Sequence, residues 1–344
     1  MAAAFDCPLG AAQAIQIESI GLRLARKGAN KGMTGADNQP RKANLFIVGA
    51  PKCGTTAWQE YLRTHPDIFF PALKERCYFA LDLPNFRLTS CEAEYARMFA
   101  GSEGAKIVGE ASAMYLFSEA AAQAIRDYNP QSRILIFLRD QVEYLPSLHN
   151  QFLWEFAEEI EDFATAWQLS GKRPSETIPK ACLEPRTLDY AAMGRFHEQV
   201  ERYLNLFPVE QVRVIRFQDW TANPRKTYLE ILDFLGLQDD GRTEFPAINE
   251  GMSYRSRNAA RLIVCPPRFF RNAGRLLKTL TGWHGGPLYR IVLKAVSLLA
   301  APGYDKRISP ELCDEIRRYY AEDNRLLEKL LSRAATPVAM TSGR

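Results

Sequence analysis

The chain has 344 residues, 47% of them hydrophobic, enough for one large domain or two small ones with a sizeable core. Its 44 Lys and Arg stand against 40 Asp and Glu, a net charge of +4, which argues against a dedicated nucleic-acid binder and leaves room for a local basic pocket. Seven cysteines, an odd number without a C-x-x-C pair, argue against a disulfide framework or a zinc site and fit a reducing, cytoplasmic setting.

The opening stretch "MAAAFDCPLGAAQAIQIES" lacks the basic region and apolar core of a secretory signal. No run of about 18 apolar residues predicts a membrane span. Residues 1–43 read as a flexible leader, with Met1 and Met33 both open as the start. Order is expected from Asn44. "LFIVGA" predicts a buried parallel strand, and Thr55 to Arg63 a helix that places Trp58, Tyr61 and Leu62 on one face. Strands are predicted at 106–110, 133–140 and 212–219. Helices are predicted at 118–130, from about 142, and at 194–207 and 223–237. This alternation predicts an α/β fold, a P-loop-containing sandwich with a mainly parallel central sheet flanked by helices, in a single domain over 44–333.

Residues 261–300 mix basic and bulky apolar side chains. A helical cap on the sheet is the expectation, with acceptor lining, membrane-surface contact and subunit pairing as alternatives. Residues 309–333 predict one long C-terminal helix, with Ser309 as its N-cap and Pro310 in its first turn. Residues 334–344 are expected to form a flexible tail.

The chemistry concentrates in "FIVGAPKCGTT", Phe46 to Thr56. Gly49 and Gly54 have the spacing of a nucleotide phosphate loop, G-x-x-x-x-G-K-[ST], between a strand and a helix. Thr55 stands where that motif has lysine, and the nearby lysine is Lys52, inside the loop. Backbone N–H groups, the helix dipole, Lys52 and the hydroxyls of Thr55 and Thr56 together suit a phosphate. A kinase remains open, with Asp140 after the central strand as its magnesium ligand.

"PKCGTT" and "LRDQVEYLPS" resemble the two donor motifs of sulfotransferases that use 3′-phosphoadenosine 5′-phosphosulfate (PAPS). In the second, Ser147 follows Arg139 by eight residues, as in that family. "KERCYF", "GEASAMYL" and "RFQDWTANP" are similar to further stretches of its carbohydrate-modifying and bacterial branch. The chain departs from the pattern at Gln141, where Pro is usual, and at Cys77, Ala111 and Ala113, where members carry His, Lys and Pro. These departures bear on the acceptor and on a second catalytic cation, and leave the donor motifs intact.

The resemblance implies a PAPS-dependent sulfotransferase, without a metal, that releases 3′,5′-adenosine bisphosphate (PAP). Its acceptor would be a hydroxyl, or an amine, on a small molecule or glycan. Lys52 would stabilise the leaving phosphate. Cys53, through its backbone, and Gly54, Thr55 and Thr56 would cradle it. Arg139 and Ser147 would bind the 3′-phosphate, and Arg255, Ser256 and Arg257 would close over the donor. Glu75 would be the general base, with Glu110 in reserve; otherwise Glu75 is a loop carboxylate paired with Lys74 or Arg76. Trp58, His65 and His149 are expected to be structural. A binding module that holds the nucleotide without turnover is the further alternative.

Overall fold

The computed structural model describes residues 41–248, 252–254, 256, 259–260, 299–302 and 308–335. Residues 1–40, Arg255, Arg257, almost all of 261–300 and the end from 336 lie outside the described residues.

Arg41 and Ala43, ahead of the expected Asn44, are already part of the packed structure. The Arg41 backbone N–H donates to Ser102 Oγ at 3.0 Å, and Ala43 is fully buried. Five strands form the central sheet: β1 (Leu45–Gly49), β2 (Ile68–Phe69), β3 (Ile107–Ala111), β4 (Arg133–Leu138) and β5 (Val212–Arg216). Their order is β2-β3-β1-β4-β5 and every pairing is parallel. β1 and β3 are buried throughout, as continuous apolar strands covered on both faces should be, while β5 at the edge exposes Arg213 and Arg216.

Chain leaving β1 leads to β2 and β3 on one side, and chain leaving β4 leads to β5 on the other. The switch point therefore lies between β1 and β4, at the carboxyl ends where open α/β sheets bind ligands.

Helices flank this sheet. α1 (Thr55–Leu62) follows β1, and α2 (Glu92–Arg97) and α3 (Ala121–Tyr128) come before β4. α4 (Gln141–Trp154), α5 (Phe163–Gln168), α6 (Tyr190–Met193) and α7 (Phe196–Leu204) separate β4 from β5. α8 (Phe217–Ala222) and α9 (Pro224–Leu235) follow β5. Gly236 ends α9 in a left-handed conformation, as its place after the last apolar turn predicts. A small antiparallel pair, β6 (Met252–Tyr254) with β7 (Ala300–Pro302), stands apart from the main sheet.

Two expectations need correction. The strand predicted over 212–219 stops at Arg216, and Phe217 opens α8. The helix lets Trp220 turn inward, where it meets Trp58 edge-on with ring centroids 5.9 Å apart. The single C-terminal helix is two: α10 (Pro310–Tyr319) and α11 (Ala321–Ala335). The break falls at Tyr320, whose buried hydroxyl donates to the carbonyls of Tyr190 and Ala191, each at 3.0 Å. Pinning that side chain to α6 turns the chain there. Ser309 caps α10 as expected, accepting from the Leu312 N–H at 3.2 Å.

The expected structural side chains are in the core. Trp58 is fully buried and stacks on Phe137 at 5.7 Å. His65 Nε2 lies 3.0 Å from the Gln238 carbonyl, and His149 Nε2 lies 2.8 Å from that of Ile160.

Candidate active site

The turn between β1 and α1 is shaped by its glycines. Gly54 has φ 93°, and a Cβ there would come within 2.5 Å of Trp220 Cζ2. Both the backbone conformation and the indole exclude a side chain. Lys52 is also left-handed, with φ 61°. Gly54 caps α1 without a side-chain hydrogen bond, and the first turn carries no acidic residue. Among the described residues, the helix thus presents uncapped N–H groups and its positive dipole end to the loop mouth.

α4 forms one wall. Glu143, Ser147, Gln151 and Glu155 are spaced by four residues and share one stripe of the helix. Arg139, just past β4, holds Glu143 through Nε at 3.0 Å and Nη2 at 2.8 Å, and lies 4.3 Å over the Phe217 ring. Lys52 Nζ donates to Gln151 Oε1 at 3.1 Å, and Gln151 Nε2 donates to Glu155 Oε1 at 2.6 Å. Desolvation pushes the Glu155 carboxyl up to about 7, against the Gln151 hydrogen bond and the Lys52 charge. Asp140 caps α4 by accepting from the Val142 N–H at 2.9 Å.

The second wall is the loop 74–77. Glu75 and Cys77 are both left-handed, at φ 59° and 50°, and costly for side chains of their size. The loop is strapped to the end of β3. The Glu75 N–H donates to the Ala111 carbonyl at 2.9 Å, and the Cys77 N–H donates to Ser112 Oγ at 3.0 Å. Ser112 Oγ in turn donates to Glu110 Oε1 at 2.6 Å. The Glu75 carboxylate accepts from the Ala113 N–H at 2.8 Å and pairs with Lys74 Nζ at 2.9 Å. Of the two partners expected for Glu75, Lys74 is the one it meets. Lys74 reaches further, to Thr56 Oγ1 at 2.8 Å and Thr55 Oγ1 at 3.3 Å.

The two carboxylates of this wall differ in setting. The Glu75 side chain is 30% exposed. Glu110 is 2% exposed, and burial pushes its carboxyl up to about 7 against the Ser112 hydrogen bond. Burial also raises the Cys53 thiol far above its ordinary range, although Arg139 and Lys52 pull it down. Cys53 accordingly offers the loop its backbone.

The fold thus gathers Lys52, Cys53, Gly54, Thr55, Thr56, Glu75 and Glu110 around the β1–α1 turn. Arg139 stands at the neighbouring strand end, and Ser147 on the helix that carries its partner Glu143. Ser256 is exposed, and its neighbours Arg255 and Arg257 lie outside the described residues. Sequence reasoning passed over Gln151, Glu155, Trp220 and the reach of Lys74. The four-residue spacing from Ser147 was a signal for the first two. Among the described residues, no cluster of three or more His, Cys, Asp or Glu is placed to hold a metal ion, and no helix is long and apolar enough to cross a membrane.

Residues 42–245, which span both walls, match the family model of the sulfotransferase domain. The chain belongs to this family. Its resemblance to PAPS-dependent sulfotransferases is thereby borne out, and the kinase alternative gives way.

Among relatives, carbohydrate sulfotransferase 15 of Rattus norvegicus is 26% identical over 267 residues, covering 60% of this chain and 47% of that protein. Heparan sulfate glucosamine 3-O-sulfotransferase 6 of Mus musculus is 23% identical over 202 residues, covering 58% and 53%. The chain spans about half the length of these curated relatives. The solved structure of a sulfotransferase from Alicyclobacillus acidocaldarius superposes with a TM-score of 0.61 at 26% identity, covering 85% of this chain and 96% of that one.

Proposed function

We propose that this protein transfers the sulfuryl group of PAPS to a hydroxyl of a small molecule or glycan and releases PAP. One observation carries the reading. A single ammonium, Lys74, links a partly exposed carboxylate, Glu75, to the threonines that open α1. A general base is thereby fixed beside an uncapped helix N-terminus, where anions are held.

The turn from Gly49 to Thr56 is read as a phosphate loop of the P-loop type, with its lysine moved to Lys52. PAPS supplies an activated sulfuryl group bonded to a 5′-phosphate. The acceptor oxygen bonds to sulfur, the bond from sulfur to the phosphate oxygen breaks, and the acceptor proton passes to Glu75. Lys52, the first-turn N–H groups and the two threonine hydroxyls stabilise the charge left on the phosphate. Arg139 offers a planar fork to the 3′-phosphate in exchange for Glu143, with Ser147 on the same helix stripe. Ser256, with Arg255 and Arg257, is assigned to closure over the donor. Exposure favours Glu75 as the base, and Glu110, enclosed behind it, supports its loop.

The carbohydrate sulfotransferases among the relatives favour a glycan acceptor. The cysteine usage noted above favours a cytoplasmic setting.

Thermal stability with PAP, AMP and ATP–magnesium tests the donor, because a ligand of the folded state raises the melting temperature by mass action. Stabilisation by PAP alone is expected; stabilisation by ATP–magnesium alone would overturn the reading. Transfer from labelled PAPS to a panel of sugars and small alcohols should then give labelled product. PAP binding without any transfer would select the binding module.

A further inference from the structure

Lys74 was read in the sequence only as a partner for Glu75. An ammonium carries three donors and no acceptor. All three have an acceptor here: Thr56 Oγ1 at 2.8 Å, Thr55 Oγ1 at 3.3 Å and Glu75 Oε1 at 2.9 Å. The Lys74 side chain is 14% exposed, so solvent screens these contacts only in part.

A threonine hydroxyl has one hydrogen to give and lone pairs to receive. Lys74 occupies a lone pair on each threonine. Each hydroxyl hydrogen must then point away from the ammonium. Among the described residues, neither hydroxyl has an acceptor of its own. Both residues open α1 beside Gly54, where the uncapped N–H groups also emerge. An anion at that point would receive the two hydroxyl hydrogens together with the helix N–H groups.

We infer that Lys74 is a positioning residue of the donor site. It turns the hydroxyls of Thr55 and Thr56 toward the 5′-phosphate of the donor and holds the Glu75 carboxylate at a fixed distance from that phosphate. The inference rests on the sulfuryl-transfer reading. It makes the phosphate loop and the base one connected unit, although 19 residues separate Lys74 from Thr55. Each N–H···O–H···phosphate chain is polarised from the cationic end, which strengthens both of its bonds.

The test compares two nucleotides by calorimetry. PAP carries a 5′-phosphate, and 3′-AMP does not. Lys74→Met should weaken PAP binding about tenfold, the size of one net charge-assisted hydrogen bond, and leave 3′-AMP binding unchanged. Turnover should fall by about a hundredfold, because the base is released as well. Lys74→Arg keeps the charge but not the three-way geometry, and should recover part of the PAP affinity while still sparing 3′-AMP.

Unchanged PAP affinity in Lys74→Met would overturn the inference. An equal loss for both nucleotides would too, because it would mark a general loosening of the fold. If Lys74→Met does not fold, Lys74→Arg decides: weakened PAP with intact 3′-AMP supports the inference, and equal effects overturn it. PAP binding by the unaltered protein is the control. Its absence would defeat the sulfuryl-transfer reading, and this inference with it.

Discussion

At the residue scale, the site depends on how neighbours divide labour between similar side chains. Glu75 and Glu110 are both carboxylates at the carboxyl edge of the sheet, yet only Glu75 reaches solvent. Glu75→Gln should leave PAP binding intact and reduce transfer by about two to four orders of magnitude, as loss of a general base does. Full activity would move the role elsewhere. Arg139→Ala removes a two-toothed guanidinium, and should weaken PAP by about ten- to a hundredfold while AMP, lacking the 3′-phosphate, is little affected. Equal weakening of both, read by calorimetry, would remove Arg139 from that role.

Glu110 also makes a pH prediction. Burial holds its carboxyl at about 7 in the folded chain, against an ordinary value of 4.5. The folded state therefore keeps a proton that the unfolded chain has lost. The associated stability is complete below about pH 4.5 and is lost as pH rises through about 7, a difference of roughly 3 kcal/mol. Glu155 shifts in the same direction. Glu110→Gln should give a flatter melting-temperature profile between about pH 5 and 8 than the unaltered protein. Parallel profiles would mean that Glu110 titrates normally.

At the element scale, the loop between β1 and α1 depends on an element far along the chain. Trp220 of α8 closes on Gly54, so the glycine answers both to its own φ and to an indole 166 residues away. Gly54→Ala should destabilise the protein by about 1–3 kcal/mol, through the left-handed backbone and the clash, and should lower donor affinity by shifting the first turn of α1. Denaturant unfolding with and without PAP separates the two effects. An unchanged midpoint and affinity would mean that the loop relaxes freely. The Gly-x-x-x-x-Gly spacing announced this turn, and the alternation of apolar runs with amphipathic stretches announced β1, β3, β4, α4 and α9. Trp220 was invisible at that stage. The strand predicted over 212–219 ended one residue short of it, and an apolar run does not register where a tryptophan turns inward.

At the scale of the whole molecule, the last helix packs over the ends of β4 and β5. A cleft of about 260 Å³ lies at the ends of β4 and β5, lined by Arg139, Gln141 and Arg216 and roofed by Asn324 and Glu328 of α11. Gln141, where the family usually has proline, is buried and makes a reciprocal amide pair with Asn324. Its Nε2 donates to Asn324 Oδ1 at 2.9 Å, and Asn324 Nδ2 donates to Gln141 Oε1 at 3.3 Å. Arg216 pairs with Glu328 beside it. A double-mutant cycle of Gln141→Ala and Asn324→Ala should return a coupling of about 0.5–3 kcal/mol in unfolding, as residues in direct contact do. Additive effects would show that α11 is held without this pair.

The sequence by itself determined what depends on local spacing: the buried strands, the glycine turn with Lys52 inside it, and the eight residues from Arg139 to Ser147. Those features are written in continuous apolar runs, in helical spacing and in the conformational freedom of glycine, which the chain carries wherever it goes. Only the tertiary structure decided that Lys74 bridges Glu75 to Thr55 and Thr56, that Trp220 seals Gly54, that Glu110 is enclosed while Glu75 is open, and that Tyr320 divides the last helix. Each depends on contacts between residues distant in sequence. Such contacts are set by the order of strands in the sheet and by which side chains must share the space at its carboxyl edge, and no local pattern encodes that.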